Sequence, residues 1–153
     1  GGLALPDLTP SQVFSKLQIE DGETIDLIVA IRNVGTGSTT GEIEFRITNF
    51  LSITGLTIMP NNDPTVVIGP NTYNLQNSEF NIESGTANFI FTTNPGVILS
   101  TSGPSSRKYI GFRITRNGGT NGELTHTVTI TPGTGGNESP VDNNFIANTL
   151  LKN

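Results

Sequence analysis

Large apolar side chains recur at every second position through most of this chain, the spacing that turns one face of a strand towards a core. The longest such run lies within Thr24 to Gly37, where Ile25, Leu27, Val29 and Ile31 alternate with Asp26, Ile28, Ala30 and Arg32. It predicts a strand over 25–34 with one core face and one face left mostly to water. The run stops at Asn33-Val34-Gly35-Thr36-Gly37, where Asn and Gly supply the backbone freedom of a turn. The cleanest alternation follows at 42–48, with Ile43, Phe45 and Ile47 set against Glu42, Glu44, Arg46 and Thr48.

The period returns at 108–116, where Ile110, Phe112 and Ile114 oppose Tyr109, Gly111 and Arg113. A Gly/Asn-rich hairpin turn then leads into 124–131, with His126, Val128 and Ile130 on one face and four threonines on the other. Segments 79–83 and 86–92 form a second hairpin around Ser84-Gly85. Segments 7–9 and 145–151 read as the first and last strands, and two nearby prolines put the first at a sheet edge or entry. From 49 to 81 the pattern weakens to a strand or packed loop, a turn at Asn61–Pro64 and a short strand at 65–68, and the strand topology through 49–106 stays open. No stretch has a 3.6-residue period, so almost no helix is expected. The fold class that follows is all-β: an immunoglobulin-like antiparallel β-sandwich of two sheets and about seven to nine strands.

Composition narrows this further. Only 33% of residues are hydrophobic and 14% charged, with 18 glycines, a balance that fits many loops between strands. Disorder is set aside because the apolar residues are grouped in periodic runs. At 153 residues the chain fits one domain, expected over 3–153. Gly1-Gly2 resembles a cloning or protease scar, so a piece of a longer protein is expected. A net charge of −5 with only eight Lys and Arg argues against nucleic acid. The absence of cysteine excludes disulfides and Cys-based zinc sites. No apolar run reaches the ~18 residues of a membrane span, so no membrane insertion is expected.

Four short motifs, taken in order, carry a resemblance. They are Pro6-Asp7-Leu8-Thr9, Asp21-Gly22-Glu23-Thr24, Asn33 to Gly37, and Asp142-Asn143-Asn144 before the last strand. Their order and spacing resemble the immunoglobulin-like CARDB and DUF11 repeats of bacterial adhesins. The Asn/Thr-rich middle is similar to repeats in very large Bacteroidetes surface proteins, including gliding-motility adhesins. The resemblance implies an extracellular, cell-surface domain in a tandem array, whose partners are neighbouring repeats of the same chain. It carries over no catalytic residue.

Candidate chemistry is sparse. His126 is the single histidine, so any Ser-His-Asp or His-metal proposal must use it, and no G-x-S-x-G elbow accompanies it. The Gly35–Gly41 stretch lacks the lysine and helix of a phosphate loop and reads as a strand connection. Acidic turns offer oxygen ligands for Ca²⁺ at Asp7, Glu20, Asp21 and Asp142, with Glu23 and Glu138 close by in sequence. An isopeptide cross-link from Lys16 to a late Asn is set aside because both lie in polar, loop-like surroundings. With no Trp and two Tyr, the binding candidates reduce to Tyr109 and Arg113. The expected function is a non-catalytic spacer, load-bearing or adhesive module of a surface adhesin, monomeric. The alternative is a carbohydrate- or protein-binding accessory module whose partner is a surface glycan or protein.

Overall fold

The ten-residue strand that the apolar pattern marks most strongly lies at the centre of one of two packed sheets. A computed structural model describes residues 3–153. In chain order its strands are β1 (Leu8–Phe14), β2 (Gln18–Ile19), β3 (Thr24–Asn33), β4 (Glu44–Thr48), β5 (Leu56–Pro60) and β6 (Thr65–Ile68). They continue with β7 (Asn71–Asn74), β8 (Phe80–Ser84), β9 (Asn88–Thr93), β10 (Arg107–Arg116), β11 (Gly122–Ile130) and β12 (Phe145–Lys152). One sheet has the order β1-β3-β10-β5, the other β2-β12-β11-β4-β9-β8, and β6-β7 forms a separate hairpin. The fold is an immunoglobulin-like β-sandwich. Among the described residues the one α-helical segment, Thr134–Asn137, is a single turn broken by left-handed Gly135 and Gly136.

The alternating residues meet where the period puts them. Leu27, Val29 and Ile31 of β3 and Ile110, Phe112 and Ile114 of β10 pack against Phe45, Ile47, Phe91, Val128 and Ile130 of the facing sheet, all buried. Phe45 and Phe91 stack at 4.8 Å, and Phe91 meets Phe112 edge-on at 5.5 Å, so the aromatic cluster crosses the gap between sheets. Each such side chain contributes roughly 1.5–3 kcal/mol by leaving water.

Strand β1 pairs only with β3 and carries Pro10 opposite Ile31, an edge setting that proline tolerates. Across the sandwich, Gln12 Nε2 donates to the His126 carbonyl (3.1 Å) and to Asn148 Oδ1 (2.9 Å), and Thr9 Oγ1 donates to the Asn143 carbonyl (2.9 Å). Side-chain bonds thus tie the first strand to both strands of the last hairpin.

Two expectations need correction. The outward face of β3 is not wet at its centre, since Ile28 and Ala30 are 1% and 5% exposed. Leu75 lies over Gly111, the cross-strand neighbour of Ile28, so closely that a Cβ at Gly111 would come within 2.4 Å of it. The 49–106 region also holds more strands than its weak pattern suggests. Besides the expected strand at 65–68 and the expected β8-β9 hairpin it contributes β5 and β7, and with β2 these bring the described residues to twelve strands.

Candidate functional site

The outer face of the β1-β3-β10 layer forms a grid whose rows follow from the pairing register. One row is Thr9, Arg32, Arg107; the next is Ser11, Ala30, Tyr109; the third is Val13, Ile28, Gly111. Tyr73 of β7 stands over the middle row, edge-on to Tyr109 with ring centres 5.1 Å apart. The Arg107 guanidinium lies 5.5 Å from the centre of the Tyr109 ring, within reach of a cation–π contact. Together they enclose a groove of about 240 Å³ with an apolar floor, an aromatic wall and two guanidinium groups at one end.

Arg113 is on the same face as Tyr109 but not in that groove. The plug of Leu75 over Gly111 lies between them, and Arg113 lines a separate depression with Thr24, Thr57 and Met59. Its guanidinium is ion-paired to Asp63, with Asp26 4.0 Å away. The structure therefore separates the two binding candidates. Sequence reasoning missed Arg32 and Arg107, whose adjacency exists only once β3 and β10 pair.

The motif residues interlock at the two ends of the sandwich. At one end Asn33, 2% exposed, makes four hydrogen bonds. Its Oδ1 accepts the Asp7 and Gly35 amides (both 3.0 Å), and its Nδ2 donates to the carbonyls of Gly37 (2.9 Å) and Leu99 (3.2 Å). Gly35 has no positive φ; it is needed because a Cβ there would lie 2.5 Å from the Leu5 carbonyl oxygen and from the Asp7 amide nitrogen. This glycine therefore serves close approach of the entering chain, where the sequence pattern suggests a turn. Buried Glu138 joins the same end, accepting from the Leu8 amide (3.1 Å), the Gly133 amide (3.2 Å) and Asn144 Nδ2 (3.2 Å). At the other end Asp21 Oδ1 accepts the Gly118 amide at 2.7 Å, and Glu23 is bonded to Lys16 Nζ (2.7 Å) and the Glu20 amide (3.1 Å). The contact with Lys16 and the Glu20 amide holds the Glu23 carboxyl below its usual range. Lys16, set aside for cross-linking, is half exposed and committed to this ion pair.

His126 of β11 is fully buried between Phe14 and Phe50. Its Nδ1 is 2.5 Å from Gln12 Oε1, an acceptor, so Nδ1 carries the proton. Burial pushes its pKa down to about 4, with the Thr48 backbone opposing slightly. An amide, not a carboxylate, orients the ring, which is not the arrangement of a Ser-His-Asp triad.

No family model matches the sequence, and no curated protein matches it. Solved structures do. The CARDB domain of a Pyrococcus furiosus protein, in complex with di-metal ions, aligns over 99% of this chain and 97% of that one, at 14% identity and a TM-score of 0.55. The chain has a CARDB-like fold. A cohesin module from a Clostridium perfringens family 33 glycoside hydrolase aligns over 99% and 98% (10% identity, TM-score 0.53). The major pilin SpaD of Corynebacterium diphtheriae aligns over 95% of this chain and 33% of the pilin (11% identity, TM-score 0.52).

The metal in the first of these raises the question of whether this CARDB-like sandwich has a matching donor set. Its four candidate carboxylates are divided between opposite ends, Asp7 and Asp142 at the Asn33 end, Glu20 and Asp21 at the Arg116 end. The neighbouring acids Glu23 and Glu138 have both oxygens occupied by N–H donors. Among the described residues no three His, Cys, Asp or Glu side chains gather to hold a metal ion. Ca²⁺ takes six to eight oxygens, and the four candidates, split between two ends, do not supply them as one set, although Asp7 Oδ1, Asn143 Oδ1 and Asn144 Oδ1 are buried without a partner at the Asn33 end.

Proposed function

We propose that this chain is a non-catalytic module of an extracellular bacterial surface protein, set in series with similar modules as a spacer and load-bearing unit. The observation that carries this is the path of the chain. Strand β1 enters at the Asn33 end, and β12 leaves at the Arg116 end, where the Asn153 carbonyl accepts from Arg116 Nη1 at 2.9 Å. β1 and β12 therefore run in the same direction, and tension on the two ends draws them apart lengthwise. Ladder bonds lie across the strands, so such a load strains the seven β1–β3 register pairs together instead of peeling them one by one. The bonds of Gln12 to β11 and β12 and of Thr9 to the turn before β12 resist the same motion. The CARDB, cohesin and pilin neighbours support the reading as folds suited to modular proteins.

Single-molecule pulling of a tandem protein tests it. The expected result is a discrete force peak per module, lowered by Gln12→Ala. Extension without a resolvable peak would refute the load-bearing role. A second reading, a binding module, is favoured by the Tyr109 groove.

A further inference from the structure

The groove walled by Tyr73 and Tyr109 contains the chain's unspent positive charge. Of eight Lys and Arg, Lys16, Arg46, Lys108 and Arg113 lie within ion-pair distance of carboxylates. Arg116 and Lys152 donate to backbone carbonyls. Among the described residues only Arg32 and Arg107 have neither kind of partner, and the register places them directly opposite each other. Like charges facing across a strand pair cost stability. In a protein of net charge −5, acidic residues to neutralise them are plentiful, yet none is placed there.

We infer that this groove is a binding site for an acidic sugar, a pyranose carrying a carboxylate, whose anionic group lies between Arg32 and Arg107. The deduction rests on the binding-module reading and is independent of the load-bearing one. A volume of about 240 Å³ suits one sugar residue of a longer chain. The two tyrosine rings meet nearly at right angles, 83°, and with Ala30 and Ile28 offer a corner for the apolar C–H face of a pyranose. Guanidinium groups match a carboxylate with paired N–H donors. The hydroxyls of Ser11, Tyr73 and Tyr109 have no partner among the described residues and are available to ring hydroxyls. A peptide strand is less well served. It needs free backbone N–H and C=O groups, and the floor strand β3 is paired on both sides.

Titration of the protein with a galacturonate trisaccharide and with the neutral galactose trisaccharide, followed by NMR, tests the assignment. The acidic sugar is expected to bind and to perturb residues 11, 30, 73 and 109, weakening as salt is raised. Arg32→Gln and Arg107→Gln are each expected to lose about tenfold or more in affinity, the scale of a charged hydrogen bond. Tyr109→Ala should lose binding too, while Arg46→Gln, on the other sheet, should not; melting curves check that each variant folds. Equal binding of the neutral sugar, unchanged affinity in both arginine variants, no binding of the acidic sugar, or binding of polyglutamate alone would each overturn the assignment. None of these results would move the pulling force.

Discussion

Asn33 holds more of this structure than its size suggests. Its four bonds join the end of β3 to the entering chain at Asp7, to the Gly35–Gly37 crossing and to Leu99. Asn33→Ala would leave these buried groups unpaired and is expected to cost on the order of 2–4 kcal/mol, measured by denaturant unfolding. Asn33→Asp should be at least as damaging, because both donor bonds are lost and a charge is buried. His126 makes a different residue-scale prediction. Its folded pKa of about 4 lies below the ordinary 6.5, so the unfolded chain binds the extra proton between those values. Stability is therefore complete above about pH 6.5 and falls as pH drops towards 4, by up to about 3 kcal/mol. His126→Gln should flatten that part of the profile relative to the parent, and an unchanged slope would show that another group carries it.

At the scale of elements, the long alternating strands were legible because one face of each meets a core. β4, β9 and β11 follow their apolar periods almost residue for residue, while β3 and β10 keep the period on their core face and are covered on the outer face as well. β5 to β7 were harder to read, since the hairpin at 65–74 rests on the outside of the sandwich and needs few apolar residues. The outer cover of β10 is likewise hidden, because Gly111 has no side chain to reveal that Leu75 fills its place. Asn77 completes the effect: its side-chain amide pairs with the N–H (2.9 Å) and the C=O (3.0 Å) of Gly111 like a neighbouring strand. Gly111→Ala is expected to displace Leu75 and cost roughly 1–3 kcal/mol. Adding Leu75→Ala should recover part of that loss, a coupling that a double-mutant cycle measures. Of the groove, only Tyr109 was visible in the sequence, because Arg32 and Arg107 lie 75 positions apart and meet only through strand pairing.

On the scale of the whole molecule, the motifs that carry the family resemblance form end plates. Pro6–Thr9, Asn33–Gly37 and Asp142–Asn144 lock together at one end, while Asp21–Thr24 closes the other around Arg116. Of the carboxylates that suggested metal ligation, Asp21 accepts a backbone amide at the Arg116 end, and the four are split between the two ends, so they do not form one donor set. Adding a chelator is accordingly expected to leave the melting temperature unchanged, which a thermal scan with and without Ca²⁺ checks. The opposite placement of the first and last strands has a further consequence in length. Folded, the sandwich is about one ten-residue strand long, roughly 33 Å. Drawn out, 153 residues reach roughly 530 Å. Each module that gives way would thus add roughly 500 Å of slack while remaining covalently continuous. With no cysteine to mispair, it is free to refold when tension falls, so under the proposed arrangement in series a row of such units acts as a reusable shock absorber.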